Sequence, residues 1–400
     1  AKTELNARLD KLADNLNKTL HKQNYEGSDY SKWLETHQPF HWFAEFYEII
    51  NDRNGFDVVI GNPPYVEYSK VRDIYRINDY KTEKCGNLYA YVFERCFKIS
   101  KYASGLIIQL SAISTETMKP LQEFLKNNSK NIYSSCFPER PKQLFDGACI
   151  ALTIQICFKL GNEKVINSGG INRTTEQARE YLFQNLTYTK IENEFIPKQH
   201  LFPKFKISIE KSIFSKIIKE KQLLNYISNN SGSNNSIFYR TAGGRYWKIF
   251  LNRNFKNEST SNKSKSFDKK YDKNTIVAVL NSNLFWWYFA NYFDLYNLKD
   301  YMIFSFPFSF KNDSEDIGKL GLKLMKSFER NVETKEQYIQ SKSQTTYFET
   351  FNPASSKDII DEIDIALAKH YGFTAEEVDF VINYDIKYRM GKELENGEDE

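Results

Sequence analysis

Apolar and polar positions alternate along this chain with spacings that predict most of its elements. The first 50 residues are predicted to be helical, because leucines recur at spacings of three and four, at Leu5, Leu9, Leu12, Leu16 and Leu20. The pattern of apolar positions in residues 56–160 then predicts strands at 56–60, 105–110, 131–137 and 149–159, with helices at 87–100 and 115–126. This order is typical of an α/β sheet with helices on its faces. Because no helix separates the last two strands, we expect an antiparallel hairpin at one sheet edge.

The second half of the chain has a different character. Residues 161–173 are rich in Gly and Asn and are interpreted as a linker. We expect a mixed α+β region at 190–350, with Ser/Asn-rich loops at 228–236 and 256–266. Helices are predicted at 355–392, where Thr374 and Glu377 form a capping box, and an acidic, disordered tail at 393–400. The predicted domains are therefore 1–50, 51–165, 190–350 and 355–392, followed by the tail.

Composition narrows the class of protein. The net charge is only +4 over 400 residues, so the positive charge is local, in a stretch containing Lys263, Lys265, Lys269, Lys270 and Lys273. Such a run is either a solvated loop or a phosphate contact. The five cysteines have no paired spacing, which indicates a reducing, cytoplasmic setting and no structural zinc. We predict no metal site, and no stretch is apolar enough to cross a membrane.

The most informative segment is Gly61-Asn62-Pro63-Pro64-Tyr65, which directly follows the apolar run 56–60. Two prolines stiffen the turn and remove two backbone donors, so its carbonyl groups lack local N–H partners. An amide side chain precedes the prolines and an aromatic ring follows them. A rigid turn with free carbonyls, an amide and a ring is suited to hold a planar base that carries an exocyclic amine.

This turn resembles the Asn-Pro-Pro-Tyr motif of DNA amino-methyltransferases, above all the γ-class N6-adenine enzymes of restriction–modification and phage-defence systems, including type IIG enzymes. The similarity continues at 40–42, at 86–89, in Phe93-Glu94-Arg95, at 144–148, at 280–282 and at 361–364. It implies a Rossmann-like methyltransferase sheet, ending in the antiparallel hairpin, then a target-recognition domain and C-terminal helices.

The resemblance also implies a chemistry and its residues. S-adenosylmethionine would donate the methyl group, and the substrate would be an adenine flipped out of double-stranded DNA. The catalytic residues would be Asn62, Pro63, Pro64 and Tyr65, with the Asn62 side-chain oxygen and the Pro63 carbonyl each accepting one amine hydrogen. Tyr65 would stack on the base, and Phe145 is our choice for a second ring, with Phe137 as the alternative.

One part of the family pattern is missing. Members of this family bind S-adenosylmethionine through a strand and glycine turn upstream of the Asn-Pro-Pro-Tyr strand, and residues 1–50 contain no such element. We therefore expect that the methyltransferase domain is only partly present here. An upstream region or a partner chain would complete it.

Candidate DNA contacts lie in the predicted target-recognition region. Arg240, Arg245, Tyr246 and Trp247 interleave arginines with aromatics around a glycine pair, and Lys269 and Lys270 follow in the lysine-rich stretch. Tyr246 and Trp247 could equally belong to the core. Two other functions stay open: a DNA-binding or specificity module that is inactive alone, and a cytosine-N4 methyltransferase.

Overall fold

The computed structural model describes residues 2–147, 149–192, 201–228, 234–244, 246–339 and 344–389. The chain divides into two compact units. Unit 1 contains Ala1–Ser134 and Leu152–Asn167, and unit 2 contains Ser135–Ala151 and Ser168–Glu400.

Unit 1 begins with three helices, which lie within the 50 residues predicted to be helical. They are α1 (Lys2–Asn24), α2 (Tyr30–His37) and α3 (Trp42–Glu45). Trp33 of α2 is buried, whereas Leu5, Leu9 and Leu12 of α1 are about half exposed. The spacing therefore predicts the helix correctly, although the described residues leave much of its apolar face uncovered.

The sheet is mixed, and most of its strands match the predicted ones. Its elements are β1 (Phe56–Gly61), α4 (Leu88–Ile99), β2 (Ser100–Gln109), α5 (Ser111–Ser114), α6 (Lys119–Asn128), β3 (Asn131–Phe137), β4 (Leu152–Phe158), β5 (Val165–Ile171) and β6 (Thr189–Ile191). The strand order is β1-β2-β4-β3-β5-β6. β1 runs parallel to β2, and β4 runs antiparallel to β2. The boundary between the units falls within β3 and β5.

Two sequence-based expectations about this sheet are wrong. The β3–β4 pair exists, since the Lys130 N–H at the start of β3 donates to the Phe158 carbonyl at the end of β4, 2.8 Å away. It does not form a sheet edge, because β5 and β6 continue the sheet beyond it. The predicted linker at 161–173 therefore contains a strand. β5 runs parallel to β3, with Val165 N–H donating to the Lys130 carbonyl and Asn172 N–H to the Cys136 carbonyl.

One face of the sheet in unit 1 lacks the cover that the other has. Helix α4 packs against β1 and β2. The side chains of Leu106, Ile108 and Cys157 are fully buried. On the opposite face four apolar side chains are exposed to solvent. They are Val58, Ile60, Ile156 and Phe158, with exposed fractions of 56%, 79%, 36% and 37%. We call this group the open face. The sequence predicts helices on the faces of the sheet, whereas in the described residues a helix covers only one of these faces.

The core of unit 2 is built around two apolar helices. All ten residues of α9 (Asn283–Tyr292) are buried, and α8 (Lys273–Leu280) precedes it. Asp364 accepts hydrogen bonds from the Asn283 and Leu284 N–H groups at the start of α9, at 3.0 and 3.1 Å. This carboxyl group, whose pKa is raised to about 7 by burial, accepts from donors that a helix leaves unpaired at its N-terminus.

The remaining elements of unit 2 surround this core. They are α7 (Ser208–Ile217), β7 (Ser236–Arg240), β8 (Phe250–Leu251), β9 (Asn262–Ser266), α10 (Asp300–Phe304), α11 (Ser314–Asn331), β10 (Glu333–Ile339), β11 (Gln344–Thr350), α12 (Lys357–Tyr371), α13 (Ala375–Asn383) and α14 (Ile386–Arg389). β8, β7 and β9 form one sheet, and β10 pairs with β11. Strand β9 lies in a tract predicted to be a loop. The capping box of Thr374 and Glu377 is confirmed, and the predicted tail at 393–400 lies outside the described residues. No helix in the described part is long and apolar enough to cross a membrane.

Candidate base-binding site

The Asn-Pro-Pro-Tyr turn lies at the carboxyl end of two parallel strands. Gly61, the last residue of β1, pairs with Leu106 of β2. Directly after it Asn62 is exposed, Pro63 is buried and Tyr65 is half-buried. Ligands of open α/β sheets bind outside the carboxyl ends of parallel strands. The turn therefore presents its amide to solvent at the edge where such a ligand binds.

The Tyr65 hydroxyl contacts two acceptors. It lies 2.6 Å from Asn62 Oδ1 and 3.1 Å from the Ile107 carbonyl oxygen. A hydroxyl carries one proton, so it can donate to one of these acceptors at a time. Partial burial raises the pKa of Tyr65 above its usual value, which keeps the hydroxyl protonated and able to donate. Asn62 Oδ1 can thus be released to another donor while the hydroxyl turns to Ile107.

The Tyr65 ring is supported on one side by Tyr89. The two rings meet edge to face, with centroids 6.4 Å apart and an interplanar angle of 78°. Tyr89 is fully buried in the first turn of α4, and its hydroxyl lies 3.3 Å from Ser111 Oγ. A buried ring of this kind fixes the orientation of its neighbour.

The segment that follows the turn is tied to the start of α4. Tyr68 N–H donates to the Gly86 carbonyl and Leu88 N–H to the Val66 carbonyl, each over 2.9 Å. Asn87 caps α4, its side chain accepting from Tyr89 N–H. The 86–89 stretch, singled out above by its family resemblance, therefore pairs with the chain just beyond Tyr65.

A buried carboxylate holds the other end of this segment. Glu94 of α4 accepts from Lys81 N–H at 3.2 Å and from Thr82 N–H and Oγ1, both at 2.9 Å. Its partner Lys98 lies 2.7 Å away. Burial by itself would raise the pKa of Glu94, but Lys98 and the Thr82 donors hold it below its usual value. The carboxylate is therefore ionised at neutral pH and fixes residues 81 and 82.

Sequence reasoning noticed some of these residues but missed their role. Glu94 and Tyr89 appear in the motifs 93–95 and 86–89, yet nothing in the sequence identifies Thr82 as the partner of Glu94. A buried acid in an apolar helix is the one available signal, because an ionisable group there needs partners.

The second predicted stacking ring belongs to unit 2. Phe145 is half-buried, in a segment where Arg179 donates to the Leu144 carbonyl and to Asp146, both at 2.8 Å. The alternative, Phe137, is buried and has its ring centroid 5.8 Å from that of Phe183. The pairing of Phe145 with Tyr65 around a base stays a prediction.

The predicted DNA contacts of unit 2 have internal partners. Arg240 donates to Asn262 Oδ1, to Asn257 Oδ1 and to the Glu349 carbonyl, at 3.3, 2.9 and 3.3 Å. Trp247 is buried, and the Arg389 guanidinium lies 3.7 Å above its ring. The structure thus gives Arg240 and Trp247 supporting contacts rather than a shared exposed surface.

The other members of that group are differently placed. Tyr246 is half-buried, and its carbonyl accepts from Arg389 Nε at 3.3 Å. Arg245 lies outside the described residues. Lys269 and Lys270 are exposed between β9 and α8, and Lys270 lies 3.8 Å from Asp268. Their roles in DNA contact stay predictions. Among the described residues, no group of three or more His, Cys, Asp or Glu side chains could hold a metal ion.

Comparison with known proteins gives one family match. Residues 1–140 match the family model described as Eco57I restriction-modification methylase. The first third of the chain, which contains β1, the turn and α4, is therefore similar to a restriction–modification methylase. Among curated proteins, no match was found.

Solved structures with similarity to the chain include three restriction–modification proteins. The type IIL enzyme MmeI in complex with DNA is 12% identical, with a TM-score of 0.44, over 85% of this chain and 57% of that one. The type ISP enzyme LlaGI, as a nuclease-deletion mutant with a DNA substrate mimic, is 10% identical, with a TM-score of 0.39, over 77% and 46%. A type I methyltransferase subunit from Streptococcus thermophilus is 15% identical, with a TM-score of 0.22, over 32% and 31%. The chain spans about half the length of the first two structures.

Proposed function

We propose that this chain carries the base-binding part and the target-recognition region of a site-specific DNA N6-adenine methyltransferase of a restriction–modification or phage-defence system. The observation that carries the proposal is the exposed Asn62 amide at the carboxyl end of β1, beside the Pro63 carbonyl and the Tyr65 ring. The segment that contains them matches a methylase family. Double-stranded DNA is the proposed substrate.

Methylation of an adenine amine requires this turn to provide two hydrogen-bond acceptors. The lone pair of an adenine amine is delocalised into the ring, so the nitrogen is a poor nucleophile. Asn62 Oδ1 and the Pro63 carbonyl would each accept one amine hydrogen and draw the nitrogen toward tetrahedral geometry. No side chain has to act as a strong base, since positioning and oriented dipoles supply the catalysis.

Entry of the base requires a change at Tyr65. The hydroxyl lies 2.6 Å from Asn62 Oδ1, which the amine must reach. Turning toward the Ile107 carbonyl keeps the hydroxyl bonded, so the exchange leaves no buried donor unsatisfied. The base must also leave the duplex, which costs a few kcal/mol. Stacking on the Tyr65 ring offsets about 1–3 kcal/mol of this cost.

S-adenosylmethionine is the donor that the methylase family implies. We propose that the residues of unit 1 do not form a complete donor site by themselves. β1 is the outermost strand of the described sheet, and no strand with a glycine turn lies beside it. We propose that an upstream region or a partner chain covers the open face and supplies the donor site.

The test is methyl transfer to DNA by the enzyme complete with its donor half. Removing one oriented acceptor typically costs about 10²–10³ in rate, so Asn62→Ala should lose nearly all transfer of labelled methyl groups. Asn51→Ala, at an exposed position in the same unit, is the matched control and should keep full activity. Wild-type activity of Asn62→Ala would rule out the assignment. Analysis of the methylated nucleoside distinguishes N6-methyladenine from N4-methylcytosine.

A second candidate function is a DNA-binding or specificity module that is inactive alone. If the donor site lies elsewhere, this chain alone is a DNA-binding module without activity. Calorimetry with S-adenosylmethionine should then show no binding by this chain alone. Tight binding would show that the described residues do contain the donor site and would refute this part of the proposal.

A further inference from the structure

The β10–β11 pair is an isolated two-stranded ribbon in unit 2. The strands are antiparallel, with register from Glu333 opposite Thr350 to Ile339 opposite Gln344, and no third strand in the described part of the chain joins them. A two-stranded ribbon is marginally stable by itself in water. Its conformation therefore depends on how its base is held.

Two arginines hold the base of the ribbon. Glu349 of β11 has an exposed fraction of only 3%, and both of its carboxylate oxygens accept from the Arg253 guanidinium, at 2.8 and 3.2 Å. Lys256 N–H donates to the same carboxylate at 2.9 Å. Arg240 donates to the Glu349 carbonyl. Burial would raise the pKa of Glu349, but Arg253 and Lys256 hold it below its usual value, so this ion pair is present at neutral pH.

The ribbon carries two uncovered tyrosines. Tyr338 and Tyr347 have exposed fractions of 62% and 53%. Glu336 pairs with Tyr347 and Tyr338 with Thr345. Since successive side chains alternate between faces, both rings and the Thr345 hydroxyl share one face with the exposed Glu336 carboxylate. Rings tipped with hydroxyl groups suit a partner that offers hydrogen-bonding edges rather than an apolar surface.

A basic cleft adjoins the base of the ribbon. It measures about 790 Å³. We call this feature the basic cleft. Its charged lining consists of one carboxylate, Glu329, and five cations: Arg253, Lys319, Lys323, Lys326 and Arg330. Arg253 belongs to both features, and α11 ends two residues before β10 begins.

The cations of the cleft differ in how strongly they are already neutralised. Lys319 and Lys323 have carboxylate partners within 3 Å, in Asp316 and Glu362. Within the described residues, Lys326 and Arg330 form no ion pair, and both are exposed. These two therefore carry charge that an external anion can neutralise.

We propose that the ribbon and the basic cleft together form a docking surface for duplex DNA, with the ribbon in the major groove and the α11 cations on the phosphate backbone. This inference rests on the proposed function, since it names the element of unit 2 that contacts the substrate. Seven residues span about 23 Å at roughly 3.3 Å each. A two-stranded ribbon fits the major groove, which is about 12 Å wide.

The charge of the basic cleft favours DNA over a protein partner. A duplex presents one negative charge for about every 1.7 Å of its axis, and the cleft supplies cations beside the ribbon. Arg240, which the sequence indicated as a DNA contact, acquires a different role here. It positions the ribbon by binding the Glu349 carbonyl and does not itself touch DNA.

The first test removes the two exposed rings. The probe is a fluorescein-labelled mixed-sequence duplex of about 40 base pairs, roughly four helical turns, and the measurement is fluorescence anisotropy. The double variant Tyr338→Ala, Tyr347→Ala should bind at least about tenfold more weakly, since each lost contact is worth about 1–3 kcal/mol. The control is Tyr296→Ala, at a tyrosine of unit 2 that is 66% exposed, and it should bind like the wild type.

The second test addresses the cations through salt dependence. Each phosphate contact contributes about 0.9 to the slope of log affinity against log salt concentration. The double variant Lys326→Ala, Arg330→Ala should therefore reduce that slope by about 1.8. Lys219→Ala, which removes an exposed cation just beyond the end of α7, should change the slope by less than about 0.9, the contribution of one phosphate contact.

A third measurement uses the wild-type chain and so does not depend on any variant folding. Bound duplex should protect Tyr338 and Tyr347 from nitration, detected by mass spectrometry, and leave Tyr296 reactive. Unprotected ribbon tyrosines, or ribbon variants that bind the duplex as tightly as the wild type, would overturn this inference. The proposed function would stand in that case if Asn62→Ala still abolished methyl transfer. It would fall if the complete enzyme neither bound duplex DNA nor transferred methyl groups.

Discussion

Replacing Glu94 with alanine tests how the candidate base-binding turn is held. The change removes the acceptor of three hydrogen bonds, from Lys81 N–H, Thr82 N–H and Thr82 Oγ1. Two of these donors belong to Thr82, which is fully buried, and water cannot replace the lost partner there. An unsatisfied buried donor costs about 1–3 kcal/mol. With two such donors, we expect a loss of about 2–6 kcal/mol. Lys98 adds little, because its side chain is 45% exposed.

Amide hydrogen exchange measures this loss locally. A loss of about 3 kcal/mol, within this range, corresponds to a roughly hundredfold faster exchange, so Thr82 N–H should lose protection by about that factor. Glu83→Ala is the matched control, since its exposed carboxylate makes none of these contacts. Glu94→Gln should give an intermediate value, because the amide keeps one acceptor but places an N–H group against other donors. Equal protection in Glu94→Ala and Glu83→Ala would refute the view that this carboxylate holds the segment.

The pH dependence of the same interaction follows from the sign of the pKa shift. The pKa of Glu94 is lower in the folded protein than in the unfolded chain. Its stabilisation is therefore complete above about pH 4.3, the unperturbed value, and is lost as the pH falls through the folded pKa. Protection of Thr82 should approach that of Glu94→Gln in this acidic range. A difference between the two proteins that stays constant down to acidic pH would contradict the argument.

Three further predictions concern other parts of the chain. Tyr65→Phe keeps the ring and should retain methyl transfer within about tenfold of the wild type, whereas Tyr65→Ala loses about 1–3 kcal/mol of base stacking, seen as a lower kcat/KM. Asp364→Ala leaves Asn283 N–H and its neighbour at the start of α9 unsatisfied and should lower the free energy of unfolding by about 3–5 kcal/mol in urea, while exposed Asp358→Ala should change it by less than about 1 kcal/mol. Ile60→Lys, at a residue 79% exposed, should leave the urea midpoint unchanged and reduce self-association in light scattering; a lowered midpoint would mean that Ile60 is already covered.

Local pattern predicted the elements around the turn because their signals are local. β1 is a compact β-branched run ended by Gly and Pro, and Asn87 is a helix cap next to an apolar helix. The parts that sequence reasoning missed depend on distant partners. β5 is weak as an isolated strand, since it contains Gly169 and Gly170, and it forms because β3 and β6 lie on either side of it.

Arg240 shows why the candidate site in unit 2 was harder to predict. An arginine among aromatics is typical both of a nucleic-acid contact and of a structural clamp, and the sequence alone does not distinguish them. The structure adds the position of its acceptors, on which the proposed clamp role rests. The Glu349 carbonyl lies 109 residues away in the chain, and only the fold brings it within 3.3 Å of the guanidinium.

If this chain is part of a methyltransferase domain, as proposed above, the open face sets a limit on how that domain is completed. Fully burying a Val, Ile or Phe side chain contributes about 1.5–3 kcal/mol, so covering these four partly exposed side chains contributes about 3–6 kcal/mol in total. A separate chain must offset an association cost of about 4–15 kcal/mol, which this contribution does not clearly exceed. A covering element on the same polypeptide avoids most of that cost, because its effective concentration is already high. A separate chain would need more contacts, such as a strand added to the outer edge of β1. The two arrangements differ in one measurable respect: on dilution, the specific activity of a linked enzyme stays constant, whereas that of a two-chain enzyme falls.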